Sequence, residues 1–132
     1  MTCLIVGDSI AMGIGMYDQH CATKAQTGIS SIAWNHHWLV QNIDSDHVII
    51  SLGSNDWSAS VTGHELNYLR DHITAARVTW IIPAIKPAIR TVVETIANAH
   101  GDGKIDLLGI PLSPDHVHPT GAGYAMIVKQ LN

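Results

Sequence analysis

The sequence lacks several features that would assign it to common functional classes. Its 132 residues include no phenylalanine, only two cysteines, and charged residues at just 14%. No apolar run approaches the roughly 20 residues that a membrane-spanning helix needs, and no basic cluster indicates binding to nucleic acid or an anionic membrane. With 46% hydrophobic residues and a net charge of −4, the composition predicts one globular domain over residues 1–132.

The start of the chain and its two cysteines bear on the compartment. The first predicted strand begins by Cys3, which leaves no room for a secretory signal of roughly 15–30 residues. The sequence as given therefore predicts a cytoplasmic protein. Cys3 and Cys21 are expected to open neighbouring strands, so a disulfide between them is one alternative. Two buried thiols are the favoured interpretation.

Short apolar runs alternate with helical patterns along the chain. The predicted strands are Leu4–Val6, a weak one at Ala22–Ala25, His47–Leu52, Val78–Ile82 and Ile105–Leu108. Several of these runs are apolar on both faces, which is typical of strands that helices cover on both sides. The pattern predicts an α/β protein with a parallel sheet between two helical layers.

The helices between these strands have recognisable ends. Ser30 or Ser31 is expected to cap a helix that carries Trp34 and Trp38 in the core. Residues 62–65 match a capping box, after which Leu66, Leu69 and Ile73 share one face. Pro87 marks the start of another predicted helix, which ends before Gly101. A last helix is predicted from Pro119 to Leu131.

Ser9 is the most informative residue, because it directly follows the first predicted strand. Open α/β sheets bind ligands at the carboxyl ends of their strands. A serine nucleophile needs a base, a group that orients the base, and donors for the oxyanion. Gly28, Asn55, Asp115 and His118 also follow predicted strands, so they are expected to converge on Ser9. In a strand order of 2-1-3-4-5, Gly28 and Asn55 would flank it.

These residues lie in four sequence blocks that resemble those of the SGNH hydrolases, also called the GDSL esterase/lipase family. The blocks are Gly7-Asp8-Ser9, Gly28 within Gln26-Thr27-Gly28-Ile29, Gly53-Ser54-Asn55-Asp56, and Asp115-His116-Val117-His118-Pro119. The resemblance covers the chain from residue 3 to the final helix. It implies a flavodoxin-like three-layer α/β/α sandwich and hydrolysis of acyl esters with no metal or cofactor.

The same resemblance implies a role for each residue. Ser9 is the nucleophile, His118 the general base and then acid, and Asp115 the carboxylate that orients it. The backbone N–H groups of Ser9 and Gly28 and the side chain of Asn55 would form the oxyanion hole. The Gly-x-Ser-x-Gly elbow of other hydrolases is not matched, because Ala11 occupies its second glycine position.

Each of these residues also has a simpler interpretation. Ser9 would cap the following helix, and Asn55 and Asp56 would be turn residues. His116 would pair with His118 on a metal, but no ligand set with the usual zinc spacing occurs. Asp8 and Asp56 are expected to be structural.

Substrate contacts are predicted beside the catalytic candidates, at Ile10, Met12, Trp57 and Val117, with ordinary packing as an equal alternative. The short chain leaves little loop for a lid or tunnel, which favours a shallow site for short acyl groups such as acetyl. The expected partner is a small-molecule ester. Two other functions remain open: a ligand-binding module with the same fold and no catalysis, and a flavodoxin-like nucleotide or signalling domain, which rests on fold analogy alone.

Overall fold

A parallel five-stranded sheet forms the centre of the protein in the computed structural model, which describes residues 1–132. Its strands are β1 (Cys3–Gly7), β2 (Ala22–Ala25), β4 (His47–Ser51), β6 (Arg77–Ile82) and β7 (Gly103–Asp106). They are arranged β2-β1-β4-β6-β7, which is the predicted order 2-1-3-4-5 within the sheet. Two further short strands, β3 (Ile43–Asp44) and β5 (Ile73–Thr74), form a separate parallel pair.

Helices cover both faces of this sheet. On one face lie α1 (Ser9–Tyr17) and α5 (Gly121–Leu131). On the other lie α2 (Ser31–Trp38), α3 (Ala59–Asp71) and α4 (Pro87–His100). The predicted three-layer α/β/α sandwich is therefore confirmed. None of the helices has the length and apolar character that a membrane span requires.

Alternate residues of the central strands face opposite helical layers. Ile5 and Ile49 pack against α1 and α5, whereas Val48 and Ile50 pack against α2, α3 and α4. All four side chains are fully buried, and each such burial stabilises the fold by roughly 1.5–3 kcal/mol. Burial on both faces explains why the strands are continuous apolar runs. Helices connect consecutive strands of the sheet, so the strands run parallel and their carboxyl ends lie at one edge.

Helix α3 begins one turn earlier than the capping box predicts. Ser58 is its N-cap, and the Ser58 hydroxyl accepts from the N–H of Val61 at 3.3 Å. Thr62 lies inside the helix instead, and its hydroxyl donates to the buried Asp56 carboxylate at 2.7 Å. The prediction was wrong because this carboxylate engages the hydroxyl that would have capped. Ile73, predicted on the same helix, is buried in β5.

Other element ends agree with the sequence more closely. Ser30 caps α2, and Gly101 ends α4 with a left-handed φ of 64°, both as predicted. The last helix begins after Thr120, whose hydroxyl accepts from Gly123. β7 lies two residues before its predicted position, because residues 107–109 form a 3₁₀ turn that Asp106 caps.

Cys3 and Cys21 form a disulfide, which corrects the prediction of two buried thiols. The pairing of β1 with β2 sets Leu4 opposite Ala22. The two cysteines directly precede these partners, and their Cα atoms are 4.6 Å apart, within the range that a disulfide spans. The bond joins residues separated by 18 positions, so it stabilises the fold by about 3 kcal/mol through the restriction of the unfolded chain.

Candidate active site

Ser9 occupies the joint between β1 and α1. The preceding Gly7 has a φ of +146°, and a Cβ there would lie 1.9 Å from the carbonyl oxygen of Ser51 in β4. The N–H of Asp8 donates to that same carbonyl at 3.0 Å. Ser9 is therefore held on a tightly packed turn. As the first residue of α1, it has an N–H with no acceptor inside the helix.

The hydroxyl of Ser9 faces the ring of His118. Ser9 Oγ and His118 Nε2 are 2.8 Å apart, although the residues are separated by 109 positions. On the other side of the ring, Nδ1 lies 2.6 Å from Asp115 Oδ2. An ionised carboxylate can only accept, so Nδ1 carries a proton and Nε2 is left to accept from the serine. The structure thus brings these three predicted residues together.

Asp115 also builds the loop that carries His118. Its Oδ1 accepts from the backbone N–H groups of Val117 at 2.9 Å and His118 at 3.0 Å. The N–H of His118, followed by that of Val117 and the His118 ring, holds the pKa of Asp115 well below its usual value. The carboxylate is therefore ionised at neutral pH. Its two oxygens bind different partners, since Oδ1 accepts from the loop backbone and Oδ2 faces the His118 ring.

Gly28 and Asn55 follow the strands on either side of β1, as the strand order predicts. Gly28 has a left-handed φ of +76°, and its N–H donates to no backbone carbonyl. Asn55 Nδ2 donates to the carbonyl of Ile29 at 3.1 Å, which fixes the amide and leaves its second N–H unused. Each residue therefore keeps one N–H that no acceptor in the protein engages.

Asp56 and Lys86 hold the Asn55 loop in place. The Asp56 carboxylate is buried and accepts from the hydroxyls of Ser31 at 2.6 Å and Thr62 at 2.7 Å. Lys86 Nζ donates to the carbonyls of Ser54 at 2.8 Å and Asp56 at 2.7 Å. The sequence predicts a structural role for Asp56, which these contacts match. It gives no signal for Lys86, because Lys86 lies far along the chain and belongs to none of the four sequence blocks.

Asp8 is buried beside Ser9 with one carboxylate oxygen unpartnered. Its Oδ1 accepts from the N–H of Ile10 at 3.0 Å and the hydroxyl of Ser51 at 3.4 Å. Its Oδ2 has no hydrogen-bond partner. Burial raises the pKa of Asp8 to about 6, and the hydrogen bonds offset only part of that effect. Asp8 is the N-cap of α1, which matches the structural role predicted for it.

This raised pKa predicts a pH-dependent loss of stability. In the unfolded chain Asp8 ionises near 3.8, whereas the folded protein keeps the proton until about pH 6. The free energy of unfolding should therefore fall as the pH rises through this window, by about 3 kcal/mol for this residue. Asp8→Asn keeps the Oδ1 acceptor and should lack this dependence. Urea unfolding of both proteins between pH 4 and 7 measures the difference.

The exposed Asp44 provides a matched control, since Asp44→Asn changes one carboxylate without burial. Its unfolding free energy should follow wild type across the same pH range. If the unfolding free energies of wild type and Asp8→Asn changed with pH in the same way, Asp8 would have the same pKa in the folded and the unfolded protein, which would contradict this prediction.

The predicted substrate contacts differ in how much surface they offer. Trp57 is 89% exposed and Met12 is 40% exposed, whereas Val117 packs partly against the core. Ile10 is only 1% exposed, because it lies on the inward face of α1 with Ile14. Ile10 is therefore a core residue rather than a substrate contact, which corrects that prediction.

Trp57, two residues after Asn55, has the most exposed side chain of the four predicted substrate contacts. Lys86 Nζ lies 3.8 Å from the centre of its ring. A cavity of about 220 Å³ adjoins the indole and is also lined by Asn55, Ile32 and Val61. By contrast, none of the five main cavities is lined by Ser9 or His118. Ser9 and His118 are themselves partly buried, and Asn55 is the predicted site residue that lines this small, mostly apolar recess together with Trp57.

Comparison with known proteins gives matches in structure but none in sequence. No family model and no curated protein matches the chain, whereas thirteen solved chains match its fold. A GDSL-like lipase from Bacteroides thetaiotaomicron aligns with a TM-score of 0.73 and 16% identity, covering 98% of this chain and 85% of that one.

Two further structures that match this fold have names that refer to acetyl transfer or acetyl-ester hydrolysis. The C-terminal catalytic domain of peptidoglycan O-acetyltransferase A from Streptococcus pneumoniae aligns with a TM-score of 0.64 and 14% identity, over 98% of this chain and 89% of that one. A carbohydrate acetylesterase family member from Sinorhizobium meliloti aligns with a TM-score of 0.62 and 12% identity, over 99% and 95%. At these identities the likeness concerns the fold alone. The chain has the fold of the SGNH hydrolases, the family that its four sequence blocks resemble.

Proposed function

We propose that this protein is a serine esterase that cleaves small acyl esters through an acyl-enzyme on Ser9. One observation carries the proposal: Ser9 Oγ lies 2.8 Å from His118 Nε2, and His118 Nδ1 lies 2.6 Å from Asp115 Oδ2. This arrangement supplies a nucleophile, a base and an orienting carboxylate in contact. The fold shared with a GDSL-like lipase and acetylesterases supports it.

The first half-reaction transfers the acyl group to Ser9. Its Oγ attacks the ester carbonyl carbon while His118 Nε2 takes the hydroxyl proton. Asp115 holds the ring in the correct tautomer and stabilises the imidazolium that forms. His118 then gives this proton to the leaving alkoxide as the ester C–O bond breaks, which leaves an acylated serine and a free alcohol.

The second half-reaction uses water in place of the serine. His118 Nε2 takes a proton from the water, and the hydroxide attacks the acyl carbon. When the bond to Ser9 Oγ breaks, His118 returns the proton to the serine. The products are a carboxylic acid and the original enzyme, with no oxidant, reductant or metal in the balance.

Both half-reactions pass through an oxyanion that needs donors. The candidates are the N–H of Ser9 at the start of α1, the free N–H of Gly28, and the second N–H of Asn55 Nδ2. Removal of one such donor typically costs about 3 kcal/mol of transition-state stabilisation. Asp56 and Lys86 hold the Asn55 loop rigid, so this donor is positioned before the substrate binds.

The lack of a large cavity at Ser9 and His118 supports a preference for a short acyl group. Neither Ser9 nor His118 lines any of the five main cavities, so a long acyl chain would find little apolar surface to bury against there. Trp57, Met12 and Val117 stay as candidate substrate contacts beside the site. The exposed Trp57 indole would cover the alcohol or acyl part of a small ester.

Hydrolysis of p-nitrophenyl esters from acetate to dodecanoate tests this proposal. We expect the highest kcat/KM for acetate or butyrate, and a fall of roughly tenfold or more by dodecanoate, because added methylenes gain no buried contact. A profile that rises with chain length would contradict the short-acyl preference. If no ester is hydrolysed and a fluorophosphonate leaves Ser9 unmodified, the protein is a binding module with this fold instead.

A further inference from the structure

His20 is oriented like a functional side chain, but it lies far from Ser9. It precedes β2 at the edge where β1 begins, whereas Ser9 lies where β1 ends. His20 Nδ1 pairs with an oxygen of the buried Asp18 carboxylate. The other Asp18 oxygen accepts from Asn132 Nδ2 at 3.2 Å, so the carboxylate is held from both sides. His20 Nε2 lies 3.8 Å from Cys21 Sγ.

This geometry is typical of a histidine that binds a metal ion. Metal-binding histidines commonly donate their second ring N–H to a carboxylate, which fixes the ring and the tautomer. Here Asp18 accepts from Nδ1, so the lone pair of Nε2 points toward the sulfur of Cys21. In the disulfide form that sulfur has no proton to donate to Nε2, so only the pairing with Asp18 holds the ring.

The ligand atoms of Cys3, Cys21 and His20 are close enough for one cation. Their two sulfurs and one nitrogen all lie within 4.8 Å of one another. A tetrahedral zinc ion, with Zn–S near 2.3 Å and Zn–N near 2.0 Å, places a sulfur and a nitrogen about 3.5 Å apart and two sulfurs about 3.8 Å apart. His20 Nε2 is already near this distance from Cys21 Sγ, at 3.8 Å. After reduction, rotation of the cysteine side chains must separate the two sulfurs and set Cys3 Sγ at its distance from the nitrogen.

We propose that the reduced protein binds one zinc-like divalent cation through Cys3, Cys21 and His20, with Asp18 as the residue that positions His20. A dithiol or phosphine supplies two electrons to the disulfide, and two protons complete the two thiols. The cation then displaces both thiol protons and forms a neutral bis-thiolate centre, with water as its fourth ligand.

The surroundings give the cation access. A cavity of about 370 Å³ borders the cluster and is lined by Cys3, Asp18 and His20, among others. His20 itself is 60% exposed, so the site opens to solvent. The disulfide and the metal centre are then alternative links between β1 and β2. The redox state of the compartment selects between them, because disulfides persist in oxidising compartments and are reduced in the cytosol.

Cobalt titration tests the proposal, since Co²⁺ substitutes for Zn²⁺ and absorbs visibly in a tetrahedral thiolate site. The full chain is reduced with tris(2-carboxyethyl)phosphine and titrated with Co²⁺ under anaerobic conditions. We expect thiolate-to-cobalt charge-transfer bands that saturate at one equivalent and disappear when Zn²⁺ is added. The oxidised protein should show none of these bands, because both sulfurs are bonded to each other.

Variants separate this site from adventitious binding. Cys21→Ser should abolish the charge-transfer bands of a two-thiolate centre, and Asp18→Asn should weaken Co²⁺ affinity by about ten- to a hundredfold. His20→Ala removes an exposed ligand, so it should weaken affinity at least as much without loss of the fold. The exposed His100 at the end of α4 is the matched control, and His100→Ala should bind like wild type.

Two results would overturn the proposal. One is a reduced wild-type protein that shows no thiolate–cobalt bands. The other is a His20→Ala variant that binds Co²⁺ as tightly as wild type. Neither result bears on the esterase proposal. The cysteine cluster lies at the start of β1 and Ser9 lies just after its end, and the two sites share no residue.

Discussion

Ser9→Ala is expected to lower kcat for p-nitrophenyl acetate by about 10⁴-fold or more, which is the usual cost of removing the nucleophile of such a triad. His118 Nε2 faces the hydroxyl of Ser9 alone, so no second hydroxyl is placed to replace it. The loss should not reflect unfolding. The Ser9 side chain bonds only to His118, and the side chain of Asp8 caps α1.

Ser60→Ala provides the matched control for this result. Ser60 is an exposed serine of α3 whose hydroxyl bonds only to that of Ser58, so the variant should keep wild-type activity. A fluorophosphonate should add one phosphonyl group to Ser9 in wild type and Ser60→Ala, and none in Ser9→Ala. Wild-type turnover by Ser9→Ala would exclude the acyl-enzyme mechanism.

The convergence of the site could be predicted because it depends on strand order rather than on atomic detail. Two-sided apolar runs such as Val48-Ile49-Ile50 indicate buried parallel strands. In such a sheet every strand ends at the same edge, and residues that directly follow strands must meet there. Ser9 and Asn55 needed no further information to be assigned to one edge. His118 lies well beyond the end of β7 at Asp106, so its place at this edge also rests on the reach of its loop and on the resemblance of its sequence block.

The features that the sequence did not predict depend on contacts between distant segments. The disulfide was an alternative to the favoured pair of thiols, and the choice between them requires the register of β1 against β2, which places Cys3 beside Cys21 but has no local signal. The start of α3 depends on the buried Asp56, which engages the Thr62 hydroxyl. Lys86 supports the Asn55 loop through two backbone carbonyls, and a lysine that binds carbonyls has no motif.

His118→Ala should remove the base and lower kcat by about 10³–10⁴-fold, and Asp115→Asn should come close to this loss. The reason is that the two carboxylate oxygens of Asp115 bind different partners. The N–H groups of Val117 and His118 both donate to Oδ1, so an asparagine must keep its oxygen there. Its NH₂ then faces His118 Nδ1, which must accept. The ring proton moves to Nε2, where it prevents His118 from accepting the proton of Ser9.

Asp115→Ala should be less damaging than Asp115→Asn, because an alanine imposes no wrong tautomer. The Asp115 side chain is 48% exposed, so water can accept from Nδ1 in its place, and we expect a loss nearer ten- to a hundredfold. His116→Asn is the loop control, since asparagine suits the left-handed φ of 59° at that position, and it should retain activity. If Asp115→Ala proves worse than Asp115→Asn, the main task of Asp115 is to hold the loop through its backbone bonds rather than to select the His118 tautomer.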